Sequence, residues 1–262
     1  MLFEQSARTK FYSWLLKSGK SKSTAESYVG ALRLYFERGY SWTYESACKW
    51  KEDEICRVKP ASVNLRIHAI NAFARYTKVR WKLKPVKLQN QQFVEVQLTV
   101  AQYEKLLAAL KEDGELRWWA AIKVLACTGV RISEFLQIKR EDLKTGYVDV
   151  CGKGTKFRRV WFSSKLRNEV LSTFKEDGFL LPYSAGVIRK RLHAFARKYH
   201  LQKEPLHPHE FRAFFARNVY EKCKDIRFLQ DILGHADVKT TMRYLRKTSK
   251  GISRRLSKIV TW

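Results

Sequence analysis

The chain has 262 residues, with 52 Lys or Arg against 25 Asp or Glu, so its formal net charge at neutral pH is +27. An apolar fraction of 45% excludes an intrinsically disordered chain, and only 12 Gly and 5 Pro exclude a collagen-like or low-complexity one. Because both halves are basic, the charge predicts a protein that binds DNA from two sides. RNA and an anionic membrane surface are the alternatives, and the membrane surface is the weaker, since no helical segment combines a basic face with a bulky apolar one.

The cysteines and apolar runs exclude other classes. Five scattered cysteines without a CxxC pair argue against a disulfide framework and a thiolate zinc site. No apolar run reaches the roughly 18 residues of a membrane span, and the first ten residues lack a secretory signal. We expect a cytoplasmic, chromosome-associated protein with no membrane partner.

Residues 1–77 are predicted to be helical, because apolar residues recur at three- and four-residue spacing around Phe11, Tyr28–Phe36 and Val63–Phe73. Ser23 and Glu26 have the spacing of a capping box and are predicted to begin the second helix.

Residues 78–95 change character. Basic residues alternate with bulkier ones around Pro85, which favours an extended interdomain linker. They are candidates for DNA phosphate contacts, or else an ordinary solvated connection: Lys78, Arg80, Lys82, Lys84 and Lys87. The first domain is therefore predicted to cover residues 1–95.

The second predicted domain covers residues 96–262. A capping box at Thr99 and Gln102 begins it, and an apolar helix over 115–128 ends at Gly129. Alternating residues at 147–150 and 158–162 flank Gly152-Lys153-Gly154 and predict a β-hairpin. Further helices are predicted over 166–174, 187–199, 211–220, 226–233 and 238–245, followed by a basic tail at 250–262. The fold class is mostly α with a small β-hairpin (α+β).

Four separated segments carry residues suited to chemistry: TGVRISEFLQIKREDL, GKGTK, HPHEFR and LGHADVKTTMRYL. Their order, and the nine-residue step from His235 to Tyr244, resemble the tyrosine recombinase (phage integrase) family over residues 99–246. The resemblance is to its minimal, Xer-like, two-domain members. It implies a helical core-binding domain followed by a catalytic domain.

The resemblance also implies the site residues. It places the catalytic groups on Arg131, Lys153, His209, Arg212, His235 and Tyr244, with Glu134 as companion of the first arginine. Two features depart from the family pattern. Ala213 stands where many members have histidine, and the segment 142–147 leaves little room for a first sheet strand.

The residue types suit attack on a phosphodiester. Two guanidiniums, Arg131 and Arg212, offer bidentate hydrogen bonds to the charge that develops on the non-bridging oxygens. Tyr244 would form a 3′-phosphotyrosyl link, assisted by His209 as base. The resemblance makes Lys153 the general acid, with Lys156 as its rival, and His235 a phosphate hydrogen-bonding group. Because the link conserves the ester energy, strand exchange needs neither ATP nor metal.

Other basic residues are candidate DNA contacts: Lys156, Arg158, Arg159 and Arg243. For the first three, a solvated strand face is the alternative. The pair His207 and His209 suggests a metal site only weakly, because no third ligand accompanies it, and no metal or other cofactor is expected.

The expected partner is double-stranded DNA. The family resemblance also implies three further copies in a homotetramer that exchanges C-terminal tails, and accessory DNA-bending proteins. The alternatives are a type IB topoisomerase and a catalytically silent DNA-binding regulator. The DNA target, and whether Tyr244 acts within its own chain or on a neighbour's site, are left open by the sequence.

Overall fold

A computed structural model describes residues 3–87, 98–152, 157–201, 206–235, 237–245 and 257. The chain divides into two compact units, Met1–Asn90 and Gln91–Trp262. The predicted boundary at residues 95 and 96 lies outside the described residues. Within the described part of the chain, no helix is both long and apolar enough to cross a bilayer.

The described residues of the first unit form four helices, α1 (Gln5–Lys17), α2 (Lys22–Glu37), α3 (Tyr44–Arg57) and α4 (Pro60–Tyr76). Their inward faces form a core of aliphatic and aromatic side chains. The predicted capping box was wrong, because α2 begins one residue before Ser23. The cap is Ser21, whose hydroxyl accepts a hydrogen bond from the Thr24 N–H.

A buried carboxylate joins three elements of this unit. Glu54 of α3 is fully buried and forms ion pairs with Arg38, which follows α2, and with Arg66 of α4. The two guanidiniums replace the hydrogen bonds that this carboxylate loses when it leaves water. A buried carboxylate without such partners would strongly destabilise the fold.

The basic segment after α4 packs against α4 through two side-chain amides. The side-chain amide of Asn71 accepts from Leu83 N–H at 2.8 Å and donates to Leu83 C=O at 2.9 Å. Asn64, two turns earlier, makes the same pair of bonds with Val86 at 2.7 and 2.9 Å. The segment's cations are all exposed: Lys78, Arg80, Lys82, Lys84 and Lys87.

The second unit is built mainly from helices. Their bounds are α5 (Val100–Glu112), α6 (Leu116–Thr128), α7 (Ile132–Phe135), α8 (Asp142–Thr145), α9 (Ser164–Thr173), α10 (Ala185–Lys198), α11 (Pro208–Cys223), α12 (Ile226–Leu233) and α13 (Val238–Met242), with a 3-10 turn at Arg243–Leu245. The capping box at Thr99 and Gln102 is confirmed. The helix predicted to reach residue 245 instead tightens into the 3-10 turn after residue 242.

The described sheet is an antiparallel hairpin of β1 (Tyr147–Cys151) and β2 (Phe157–Trp161). Short helix α8 occupies the segment that leaves little room for another strand. In the hairpin, Val150 pairs with Arg158 and Val148 with Val160, so these residues share the inward face. A mostly helical fold with a small hairpin confirms the predicted fold class.

Candidate active site

Arg212 is the buried centre of the site, with an exposed fraction of 1%. Its Nη2 atom donates to Leu233 C=O at 2.7 Å, and its Nη1 atom donates to Gly129 C=O. These carbonyls lie at the C-terminal ends of α12 and α6, where the helix dipole is negative, so both ends stabilise the cation. Burial and the charge of Arg131 lower the pKa of Arg212 to about 10. Because this value is still well above 7, the guanidinium stays protonated at neutral pH.

Glu134 holds the second guanidinium. Its fully buried carboxylate accepts hydrogen bonds from the Arg131 backbone N–H at 2.7 Å and from Arg131 Nη1 at 2.8 Å. Arg158 of β2 donates to the same carboxylate through Nη2 at 2.7 Å and Nε at 3.2 Å. Burial raises the pKa of Glu134, but the hydrogen bonds from Arg158 and Arg131 outweigh it and lower the pKa to about 2.

His235 is fixed as a neutral imidazole of one tautomer. Arg212 Nη2 lies 2.8 Å from His235 Nε2, and because a guanidinium only donates, Nε2 must accept. The proton therefore sits on Nδ1, which donates to Thr241 Oγ1 at 2.7 Å. Burial and the charge of Arg212 lower the pKa of His235 to about 4.

Tyr244 reaches this cluster from its own chain. The 3-10 turn places its hydroxyl 3.3 Å from Arg212 Nε, which donates to it. The Tyr244 ring lies 5.3 Å from the ring of His209 and 5.7 Å from that of His235, measured between centroids. A phenol oxygen is thus placed beside a buried guanidinium.

His209 stands at the start of α11, on the same helix as Arg212. Desolvation in the cleft and the charges of Arg212 and Arg131 lower the pKa of His209, so its ring is a neutral base at pH 7. The neighbouring His207 pairs with His193, with Nδ1 and Nε2 separated by 3.0 Å. The cleft is lined by Val130, Arg131, Ile132, Ser133, Arg189, His207, Pro208, His209 and Arg212.

The structure brings together most residues chosen from the sequence: Arg131, Glu134, His209, Arg212, His235 and Tyr244. Lys153 and Lys156 lie outside the described residues. Of the candidate DNA contacts on β2, Arg158 turns inward to Glu134, while Arg159 forms a bidentate pair with Asp149, both bonds 2.9 Å. Arg243 is exposed beside Tyr244.

Sequence reasoning missed three residues of the site. Thr241 orients His235, and Arg189 adds an exposed cation to the cleft. Gln137 accepts from Cys151 N–H at 2.9 Å and donates to Cys151 C=O at 2.9 Å, which ties the end of β1 to the turn after α7. The spacing of Thr241, six residues after His235 in a segment already chosen, was the one available signal.

The chain is similar to known recombinases over most of its length. A model of the phage integrase family matches residues 97–250. Tyrosine recombinase XerA of Pyrococcus furiosus is 28% identical over 263 residues, which span 92% of this chain and 89% of that protein. Tyrosine recombinase XerC of Salmonella typhi is 31% identical over 207 residues, 71% of this chain and 69% of that protein.

Among solved structures, a lambda integrase tetramer bound to a Holliday junction has a TM-score of 0.73 at 20% identity, covering 93% of this chain and 76% of that one. This likeness confirms the fold. The family match, which spans more than half of the sequence, and the similarity to XerA and XerC show that the chain belongs to the phage integrase family and is a site-specific DNA recombinase.

Proposed function

We propose that Tyr244 is the nucleophile of this recombinase and attacks a phosphodiester of duplex DNA. Its oxygen bonds to phosphorus, the bond from phosphorus to the 5′-oxygen breaks, and a 3′-phosphotyrosyl link remains. A 5′-hydroxyl from another strand reverses the step and completes the exchange. The observation that carries the proposal is the 3.3 Å separation between the Tyr244 hydroxyl and Arg212 Nε inside the cationic cleft.

The guanidiniums of Arg212 and Arg131 stabilise the charge that develops on the non-bridging oxygens. Arg212 is oriented by two carbonyl groups and Arg131 by Glu134, so neither needs to reorganise during the reaction. Removing one preoriented donor of this kind slows a reaction by about 10²–10³-fold.

Proton transfer needs a base at the phenol and an acid at the leaving oxygen. His209, neutral at pH 7 and with its ring beside that of Tyr244, takes the phenolic proton. Lys153 protonates the leaving 5′-oxygen, a role supported by the family resemblance. Both nitrogens of His235 are engaged within the protein, so we assign it to orienting Arg212 rather than to direct phosphate contact.

The partner is double-stranded DNA. The exposed cations on residues 78–87 support a role for the first unit as a DNA-binding domain, and those near the cleft support the second as the catalytic domain. We further propose a homotetramer, since the lambda integrase structure is a tetramer on a Holliday junction. Tail exchange through residues 250–262 and accessory DNA-bending proteins stay predictions.

A nicked duplex tests the assignment of Tyr244. Sites are first selected from a randomised duplex library with the Tyr244→Phe protein, and the selected duplexes are then nicked near the cleavage point so that the released fragment diffuses away. Wild type should stay attached to DNA on a denaturing gel, and Tyr244→Phe should bind but leave no adduct. An adduct of undiminished yield from Tyr244→Phe would overturn the assignment.

A further inference from the structure

We infer that Arg158 is a positioning residue that holds Arg131 and the turn before His235 in one arrangement. Its guanidinium spans two parts of the site. Nη2 and Nε donate to the Glu134 carboxylate at 2.7 and 3.2 Å, and Nη1 donates to Ile232 C=O at 2.7 Å. This inference rests on the proposed function, because it assigns Arg131 to the reacting phosphate.

The first connection runs through Glu134 to Arg131. Each carboxylate oxygen of Glu134 accepts one bond from Arg131 and one from Arg158, so the two guanidiniums balance each other across a buried anion. Without Arg158, Arg131 is the one charged partner left to that anion among the described residues, and it is then drawn further toward the carboxylate and away from the cleft.

The second connection runs to the end of α12. Arg158 binds the carbonyl of Ile232, and Arg212 binds the next carbonyl, that of Leu233. His235 follows two residues later and accepts its own bond from Arg212. The two arginines therefore fix consecutive peptide groups of the turn that delivers His235.

The turn is shaped around the Arg158 side chain. Gly234 has a φ of +63°, and a Cβ atom there would lie 2.5 Å from Arg158 Cδ. Any larger residue would have to displace this stem. With 13% of its side chain exposed and three of its nitrogens bonded within the protein, Arg158 is a poor candidate for a DNA phosphate contact.

The test uses DNA in which a methyl group replaces one non-bridging oxygen at the cleaved phosphate. Removing that charge lessens the need for Arg131, so a residue acting through Arg131 should matter less on this substrate. On ordinary nicked duplex, Arg158→Ala should slow adduct formation about 100-fold at unchanged DNA affinity, the scale expected for a misplaced catalytic group. On methylphosphonate DNA its deficit should shrink in parallel with that of Arg131→Ala. Both stereoisomers are assayed, because the two guanidiniums can face different oxygens.

Two further variants keep the result interpretable. Arg167→Ala is the matched control, since Arg167 also binds two carbonyls, of Leu143 and Lys144, on α8. It should show the same relative activity on both substrates. Arg158→Lys is the second variant, for use if Arg158→Ala folds poorly. It keeps one positive charge and should recover part of the cleavage rate.

Three results would contradict the inference. An Arg158→Ala deficit of the same size on both substrates would indicate a merely structural role. A lower salt dependence of DNA binding with a normal cleavage rate in the complex would make Arg158 a phosphate contact. If wild type forms an adduct with neither the ordinary nor the methylphosphonate duplex, the proposed function itself is refuted, and the positioning role with it.

Discussion

Arg212 donates to the Nε2 atom of His235 at 2.8 Å, and this single bond couples the charge state of one residue to the orientation of the other. Protonation of His235 at Nε2 would place two donors face to face and break the contact. The buried guanidinium would then keep its two carbonyl partners but lose the imidazole that fixes its plane. The site therefore depends on a neutral His235.

Stability should fall with acidification below neutral pH. Burial and Arg212 lower the pKa of His235 to about 4, below its ordinary value of 6.5, so the unfolded chain binds this proton more readily. The contribution of neutral His235 to the stability of the folded state is therefore complete above pH 6.5 and is lost as the pH falls toward 4. In urea denaturation at pH 7, 6 and 5, His235→Gln should show a shallower decline than wild type. Identical declines would refute this account; His209, whose pKa is also lowered, leaves a residual slope.

Gly129→Ala should disturb Arg212 from the other side. Gly129 has a φ of +62°, its carbonyl accepts from Arg212, and an added Cβ would lie 2.5 Å from Phe215 Cδ1. We expect a loss of about 2–4 kcal/mol of unfolding free energy, from backbone strain plus overpacking, together with slower cleavage.

Gly114→Ala is the matched control, because φ is +72° there but nothing lies within 4 Å of the added atom. It should show the strain alone, about 1 kcal/mol, at normal cleavage rate. Equal destabilisation of the two variants in chemical denaturation would contradict the predicted clash with Phe215.

Gln137→Met should impair proton delivery to the leaving oxygen. The Gln137 amide holds both backbone groups of Cys151, and Lys153, the proposed acid, follows two residues later. General acid catalysis contributes about 10²–10⁴-fold, and a displaced acid should slow cleavage by about 10²-fold. A substrate with sulfur at the 5′-bridging position needs no such acid, because a thiol pKa is near 8.5. The variant should therefore be slow on the oxygen substrate and near normal on the sulfur substrate.

Asp149→Asn controls for general weakening of the hairpin. It breaks the exposed ion pair with Arg159 on the outer face and leaves the Gln137 contact in place. Its rate ratio between the two substrates should match wild type. If Gln137→Met slows both substrates equally, the amide has only a structural role.

The sequence predicted those parts of the site that depend on local order. His209 and Arg212 share one helix three residues apart, and this spacing predicts their common face. Arg131 and Tyr244 were placed in the same site by the order of the motifs and their resemblance to the tyrosine recombinase family. The sequence makes Arg158 a candidate DNA contact or part of a solvated strand face. Strand alternation, however, puts it on the inward face with Val160, where a guanidinium needs a buried partner.

The amide contacts could not be predicted. Asn64, Asn71 and Gln137 each pair with both backbone groups of one residue, and these partners lie 22, 12 and 14 residues away. No periodicity connects an amide with such a partner, since the pairing depends on how an extended segment packs on a helix or turn. The same limit applies to Glu54, whose two arginine partners come from different elements.

Asn71→Leu should release the basic segment from α4 and so weaken the DNA binding proposed for the first unit. The contact with Leu83 is buried, so the variant leaves one N–H and one C=O without their partner, at about 1–3 kcal/mol each. Asn64→Leu is the matched control, because its contact with Val86 is only partly buried and water can replace the amide. Thermal unfolding should show the larger loss for Asn71→Leu, and the salt dependence of DNA affinity should flatten more for the same variant, as fewer of the exposed cations remain aligned with phosphates. Equal effects at the two positions would mean that burial of the Leu83 contact does not hold the segment in place.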